Sequence, residues 1–260
     1  NTLYFGAGDL WRSTDVKAAT PAWTAIHTPS GQVSAIAVKQ GSSKVVWVAH
    51  SNGDIYRSID GTDAAPTFTR RDNTTPALPN RFCTRIVINP TNSNHVFACF
   101  GSYSTNNIWE TKNGGTTWTA LTGMPGAPVR DLKIHPTNSQ VLYAATEVGL
   151  LVSENGGNTW SSTATPSNVS IEEIFWGANN KLYLATHGRG IFNQTVGDLT
   201  DPGDIVYYRF DRGAGTSAIN YAVSSSSYNS IINGGGDRWV TPGWYGRGML
   251  HGSSNTSATN

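Results

Sequence analysis

The chain has 260 residues, of which 13% are charged, and its formal net charge is +1. Such an even balance creates no field that would attract nucleic acid or an anionic membrane surface, so we predict neither nucleic-acid binding nor direct membrane insertion. No apolar run approaches the roughly 18 residues that suggest a membrane-spanning helix. Glycine and tryptophan are abundant, at 28 and 9 residues, which is typical of turn-rich β structure.

Short apolar runs separated by turn signals recur along residues 3–195 and predict β-strands. Four runs align as the first strand of a repeating unit: Val33–Val38, Cys83–Ile88, Val129–Ile134 and Ile171–Trp176. A second strand, a third strand and a fourth strand centred on an aromatic residue follow within the unit. Four strands in about 40 to 50 residues make a β-propeller blade. We therefore predict an all-β propeller of four-stranded antiparallel blades.

A polar motif recurs at the predicted turn between the third and fourth strands. Its Ser or Thr and its Asp or Asn can bond backbone N–H groups in a tight turn. The residues assigned to these turns are Ser13, Asp15, Ser58, Asp60, Thr111, Asn113, Ser153 and Asn155, and Trp118 and Trp160 cover the last two turns. The first two copies carry insertions before their aromatic residues, Trp23 and Phe68.

The motif resembles the Asp-box, or BNR, repeat of sialidases, of the sortilin family and of the xyloglucanase family of glycoside hydrolases. In those families the motif is structural and lies on the outer rim of the propeller. The resemblance implies the same role for these turns.

The repeat region begins and ends with incomplete units. Three blades are complete, the first unit lacks its first strand, and the last ends after Ile191 and Phe192. Either the partial units combine into one blade of a small ring, or further blades precede this chain. The segment from Tyr183 to Phe192, with its turn at Thr186 to Gly190, resembles the closing blade of secreted bacterial BNR-repeat proteins, and we prefer the interpretation as a fragment.

Three regions are expected along the chain. Residues 1–197 form the propeller, residues 198–204 are an acidic linker with a Pro-Gly turn, and residues 205–260 begin a second domain. The strand-like run at 205–211 and the Trp- and Gly-rich run at 239–252 resemble the opening of a laminin-G-like, concanavalin A-like jelly-roll domain. That resemblance leaves open a calcium ion in the second domain, and no other cofactor is expected.

Cys83 and Cys99 flank a turn centred near residue 91 and are expected to lie almost opposite each other. One interpretation is a cross-strand disulfide, which would indicate an oxidising compartment. The other is two small buried apolar residues, since the next repeat has Val129 and Ala145 at these positions.

Candidate site residues lie on the predicted first strands, which line the channel of a propeller. One aligned column holds Thr84, Arg130 and Glu172, and the neighbouring column holds Arg85, Asp131 and Glu173. Strand alternation should send one column to the channel and the other into blade packing. Glycoside hydrolysis needs two carboxylates, so the catalytic candidates are Asp131, Glu172 and Glu173. The alternative is a ring of salt-bridged or hydrated residues at the channel mouth.

Candidate ligand-binding residues are Arg85, Arg130, His187 and Arg189. For His187 and Arg189 the alternative is a tight structural turn. The six histidines form no metal-binding pair spacing, so no metal site is predicted.

The first hypothesis for function is a secreted or cell-surface multidomain protein that binds polysaccharide, another glycan or an extracellular protein without catalysis. Exposed Trp and Tyr rings would stack on sugar rings. The first alternative is a sialidase-like or xyloglucanase-like glycoside hydrolase. The second is an extracellular scaffold or assembly protein. The RIP-like motif that sialidases carry near their first arginine does not occur in this chain, although it could lie in blades upstream.

Overall fold

The computed structural model describes residues 1–28, 31–178 and 180–196, and beyond them only the backbone of four short strands. The described part is built from strands and turns. No helix in it has the length and hydropathy that a membrane crossing requires.

Five antiparallel sheets, here called blades 1 to 5, follow one another along the chain, and consecutive strands are neighbours in each. Blade 1 has three strands, β1 (Leu3–Gly6), β2 (Leu10–Ser13) and β3 (Thr24–His27). Blade 2 has β4 (Val33–Val38), β5 (Val46–His50), β6 (Ile55–Ser58) and β7 (Thr69–Arg70). Blade 3 has β8 (Cys83–Ile88), β9 (Val96–Phe100), β10 (Ile108–Thr111) and β11 (Thr119–Ala120).

Blade 4 has β12 (Val129–Ile134), β13 (Leu142–Thr146), β14 (Gly149–Ser153) and β15 (Ser161–Ser167). Blade 5 has three strands, β16 (Ile171–Trp176), β17 (Lys181–Thr186) and β18 (Gly190–Thr195). The predicted propeller of four-stranded antiparallel blades is confirmed, with three complete blades between two three-stranded ones. Blades 1 and 5 are separate sheets, so the partial units do not combine into one blade.

The core is divided among the junctions between successive blades. The second strands β5, β9 and β13 have no exposed residue, because each of these blades packs against a neighbour on both faces. Phe100 packs with Trp47 of blade 2, whereas the adjacent Cys99 packs with Leu132 of blade 4. Two further apolar clusters fill the junction of blades 1 and 2 and the junction of blades 4 and 5.

The recurring motif builds the same turn four times. In each turn the Ser or Thr hydroxyl bonds the Asp or Asn side chain two residues later, over 2.9, 2.6, 3.0 and 3.1 Å in chain order. The same Asp or Asn oxygen accepts the backbone N–H that precedes the aromatic residue. These N–H donors belong to Ala22, Thr67, Thr117 and Thr159, at 3.0, 3.0, 3.0 and 2.9 Å.

The insertions in the first two turns leave this bond intact. The acceptor and the N–H donor are seven residues apart in the first two turns and four apart in the last two. The extra residues of the first turn are exposed, so they loop outward without changing the anchor. Trp118 is 2% exposed, packs in the cluster between blades 2 and 3, and donates its indole N–H to Arg71 O of blade 2 over 2.8 Å.

Cys83 and Cys99 are free thiols in the structure. They lie on neighbouring strands, almost opposite each other as expected, but they are not a directly opposed pair. Cys83 pairs with Phe100 and Arg85 pairs with Cys99 across a β-bulge. The two thiols belong to clusters on opposite faces of the sheet. Burial raises the pKa of Cys83 to about 12 and raises the pKa of Cys99 well above its ordinary value. The structure therefore matches the interpretation of two small buried residues.

Beyond residue 196 the described strands are β19 (Ser217–Ala218) paired with β20 (Ser230–Ile231), and β21 (Arg238–Val240) paired with β22 (Gly248–Leu250). The linker at 198–204 and the run at 205–211 lie outside the described residues. The division into three regions and the jelly-roll domain stay predictions.

Candidate functional site

One end of the blades gathers the beginnings of the first strands and the turns between second and third strands. Backbone bonds join these two parts, from Gly101 N to Phe82 O (3.1 Å), from Glu147 N to Pro128 O (3.1 Å) and from His187 N to Ser170 O (2.9 Å). We call this end the mouth edge. The motif turns lie at the opposite end, because every connection in a blade is an antiparallel hairpin.

A β-bulge recurs at the mouth edge of the first strands. The register of the first strand with the second shifts at Ser34, Thr84, Arg130 and Glu172, one residue in each of blades 2 to 5. A bulge re-aims side chains, so strict alternation need not hold at these positions. In blade 5 both Glu172 and Glu173 are exposed, with 43% and 59% of the side chain in solvent.

Asp131 has no exposed surface and joins three blades. Its carboxylate lies 2.8 Å from Arg85 Nε of blade 3 and 2.9 Å from Lys133 Nζ of its own strand. It also accepts the backbone N–H groups of Leu132 (2.7 Å) and of Ile174 in blade 5 (2.9 Å). Two cations and two N–H donors therefore surround one buried carboxylate, and this environment positions the first strands of blades 3, 4 and 5.

Arg85 connects the buried Asp131 to the surface. Its side chain is one-third exposed, and its Nη2 lies 3.6 Å from Glu173 Oε1. The sequence predicted these three residues in one column, and the structure brings them into one ion-pair chain. In blade 4 the alternation holds, since Asp131 is buried whereas Arg130 is 38% exposed.

A second cluster surrounds Arg130 at the mouth edge. Its Nη2 lies 2.6 Å from Glu147 Oε2, and its Nε lies 3.9 Å from Glu172 Oε2. Ser170 donates its hydroxyl to the other Glu172 oxygen over 2.8 Å. The hydrogen bond and charge of Glu147 raise the pKa of Arg130. Arg130 therefore stands between carboxylates from two different blades.

Exposed apolar side chains lie on the same edge. Tyr103 is 77% exposed, and Phe82 and Val148 are about half exposed. Tyr103 stands in the turn at 101–107, where the buried Asn107 donates its side-chain amide to the carbonyl oxygens of Ser102, Ser104 and Ala127. An aromatic ring on a braced turn is a preorganised stacking surface.

His187 and Arg189 are exposed in the turn between the second and third strands of blade 5. Thr186 donates its hydroxyl to Gly190 O over 2.7 Å, and Gly188 and Gly190 have positive φ. This is a tight turn, and Thr146 makes the same bond to Gly149 O in blade 4 over 2.6 Å. The ligand-binding role of His187 and Arg189 stays a prediction.

Sequence reasoning did not nominate Glu147, Lys133 or Tyr103. Glu147 follows Thr146 as His187 follows Thr186, so alignment of the two turns would have found it. Tyr103 lies in an insertion that has no aligned counterpart. Within the described ranges no group of three or more His, Cys, Asp or Glu side chains is placed to hold a metal ion.

No protein-family model matches the chain. A xyloglucanase from Paenibacillus sp is 27% identical over 181 residues, which cover 57% of this chain and 17% of that protein. Among solved structures, a GH74 enzyme from Niastella koreensis matches 80% of this chain and 36% of its own, with a TM-score of 0.59 and 18% identity. A GH74 xyloglucanase from Xanthomonas campestris matches 73% of this chain and 34% of its own, with a TM-score of 0.55 and 16% identity.

The chain thus spans well under half of the length of each of these three proteins. At these identities the structural likeness shows the β-propeller fold alone. All three of these proteins are described as xyloglucanases or GH74 enzymes, and none as a non-catalytic binding protein of the kind in our first hypothesis.

Proposed function

We propose that this chain is part of a glycan-acting propeller protein of the glycoside hydrolase kind, and that its mouth edge engages polysaccharide. The observation that carries the proposal is the meeting of solvent-accessible carboxylates from two blades around Arg130, whose charge also interacts with the exposed Tyr103. The xyloglucanase relative and the GH74 neighbours support a neutral polysaccharide as the substrate class.

The positions of the candidate carboxylates decide which of them can act as a pair. A glycosidic bond must lie between two carboxyl groups, one to protonate the leaving oxygen and one to act from the other side of the sugar ring. Glu172 and Glu173 are adjacent on one strand, so a partner from another blade is needed. Asp131 was the predicted partner, but its side chain has no exposed surface, so a substrate cannot reach its carboxylate in this structure.

Glu147 is the partner that solvent already reaches, with 31% of its side chain exposed. It lies on blade 4 and Glu172 lies on blade 5, on either side of Arg130. Arg130 and Ser170 orient the Glu172 carboxylate. We therefore propose Glu147 and Glu172 as the acid–base pair, with Arg130 as their positioning residue. Glu173, which lies beside Arg85, is the next candidate.

The test measures reducing ends released from xyloglucan and from other soluble neutral polysaccharides. We expect activity in the parent chain and a loss of about 10²-fold or more in the Glu147→Gln and Glu172→Gln variants, because general acid–base catalysis contributes about 10²–10⁴-fold. Asp63→Asn is the matched control, an exposed carboxylate that pairs with Lys44 near a motif turn. Full activity in both glutamine variants would contradict the assignment.

A second candidate function, glycan binding without hydrolysis, is favoured by Tyr103 on its braced turn. If the parent chain binds polysaccharide but releases no reducing ends, this second function is supported over hydrolysis. An extracellular location, an extracellular protein partner and a calcium ion in the second domain stay predictions.

A further inference from the structure

A polar pocket of about 380 Å³ opens between blades 3 and 4, away from the mouth edge. Its walls come from the end of β10, from the fourth-strand region of blade 3 and from the motif turn of blade 4. The residues that matter for its chemistry are Glu110, Lys112, Asn113, Leu121, Gly157 and Asn158.

At the two preceding junctions an arginine crosses from one blade to the next. Arg12 of blade 1 donates from Nη1 to Gly61 O (2.6 Å) and Asp63 O (2.7 Å) in the turn of blade 2. Arg57 of blade 2 donates to Gly114 O (3.4 Å) and to Asn94 Oδ1 (2.8 Å) in blade 3. Each arginine immediately precedes the Ser of its own motif turn. We call the space that these guanidinium groups occupy the arginine seat.

The third junction lacks this arginine. The residue before Thr111 is Glu110, which stays within blade 3 and pairs with His95 Nε2 (2.7 Å) and Lys112 Nζ (3.4 Å). At the second junction the aliphatic part of the Arg71 side chain lies against Gly115. Leu121 takes the same place against Gly157 at the third junction. Two shorter side chains replace two arginines, and their missing volume accounts for the pocket.

The acceptors of the arginine seat are nevertheless kept. Gly156 N donates to Gln140 O over 2.7 Å, as Gly114 N donates to Asn94 O over 2.9 Å, so the turn of blade 4 has the geometry of the turn of blade 3. Gly156 O therefore corresponds to Gly61 O and Gly114 O, the carbonyls that accept from arginine at the earlier junctions.

The charge at the third junction suits a cation. Burial raises the pKa of Glu110, but the hydrogen bonds and charges of His95 and Lys112 outweigh it, and the pKa lies below its ordinary value. The carboxylate is thus ionised at neutral pH. Lys112 is 74% exposed, so its ammonium group can leave Glu110 for solvent, whereas the Glu110 carboxylate is 11% exposed.

We propose that the pocket between blades 3 and 4 binds a guanidinium-bearing ligand, whose head group occupies the vacant arginine seat between Glu110 and the turn of blade 4. The ligand displaces Lys112 from Glu110. Asn113 and Asn158 line the approach. This inference does not rest on the proposed hydrolase activity, because neither its residues nor its readout involve the mouth edge.

The test is a titration of the ¹⁵N-labelled full chain with methylguanidinium. Trp160 reports on the site, since its indole N–H donates to Gly157 O over 3.1 Å. We expect a saturable shift of this indole signal and of the Asn158 side-chain amide. Glu110→Gln should weaken the affinity about tenfold, because a charge-assisted bond is lost, and Lys112→Ala should strengthen it. Asp63→Asn is the control. It lies at the junction of blades 1 and 2, where Arg12 already occupies the arginine seat, so its affinity for methylguanidinium should equal that of the parent chain.

A further variant tests whether a loss of binding could be due to misfolding. Glu110→Arg should restore the crossing arginine, abolish methylguanidinium binding and raise Tm. Tighter binding of an arginine flanked by peptide bonds than of methylguanidinium would identify a protein side chain as the ligand, and equal binding would identify a small molecule. An unresponsive Trp160 signal, equal affinity in Glu110→Gln, or preferential binding of an uncharged disaccharide would overturn the proposal.

Discussion

His50 ends the second strand of blade 2 with no exposed surface, and its ring lies 5.6 Å from the rings of both His27 and Tyr56. Burial, and then the neighbouring His27, lower the pKa of His50 to about 4 against the opposing effect of Asp54 and Asp72. Arg70 pairs with both carboxylates, over 2.5 and 2.8 Å.

We expect His50 to make the fold sensitive to mild acid. Its pKa is lower in the folded state than in the unfolded chain, so its contribution is complete above about pH 6.5 and is lost as the pH falls toward 4. The free energy of unfolding in urea should fall by about 2 kcal/mol more between pH 7 and pH 5 in the parent chain than in a His50→Phe variant. Identical pH dependence in the two proteins would contradict this assignment.

Single residues also mark where sequence reasoning reached its limit. The aligned columns placed Arg85, Asp131 and Glu173 together correctly, because the first strands of neighbouring blades contact one another. They did not reveal that Asp131 is buried under two cations. Nor did they reveal the recurring bulge, which depends on strand register and also separates Cys83 from Cys99.

At the scale of the element, the motif turn is an anchor made by one side chain. Asn155 accepts from Ser153 Oγ (3.1 Å) and Thr159 N (2.9 Å), and donates to Thr159 Oγ1 (2.9 Å). The first two turns use Asp15 and Asp60 for the same acceptor role. The acceptor oxygen is therefore the shared requirement of all four turns.

We expect Asn155→Ala to lower the free energy of unfolding by about 1–2 kcal/mol, since it leaves the Thr159 N–H and the Ser153 hydroxyl without their partner. Asn155→Asp keeps the acceptor and should stay within about 0.5 kcal/mol of the parent. Urea unfolding of the two variants at pH 7 makes the comparison. Equal losses in both would show that the acceptor does not anchor the turn.

The bounds of the inner strands were predictable because they are apolar runs that end at Asn-, Pro- or Gly-containing turns. All four predicted first strands coincide with β4, β8, β12 and β16. The equivalence of the four turns was predictable from the repeated sequence motif. That the insertions in the first two turns leave the anchor unchanged became clear only from the hydrogen bonds in the structure.

At the scale of the molecule, repetition fixed the propeller, since each blade can bury its apolar faces only against neighbours. The site was less predictable, because it depends on residues that break the repeat. Tyr103 lies in a turn that is longer than the equivalent turns of the other blades. Glu147 becomes a site candidate only through its ion pair with Arg130, which the sequence does not show. The glycan-acting role that we propose therefore rests on the mouth edge and on the relatives.

Polysaccharide binding at the mouth edge is tested most directly by electrophoresis of the chain through gels that contain soluble xyloglucan. We expect retardation of the parent and of Tyr103→Phe, and about tenfold weaker binding in Tyr103→Ala, since a stacked ring contributes about 0.5–1.5 kcal/mol beyond its buried area. Ile59→Ala removes an exposed apolar side chain from a motif turn at the other end of blade 2 and should migrate as the parent does. An unretarded parent chain, or equal retardation of Tyr103→Ala and the parent, would contradict polysaccharide binding at this edge.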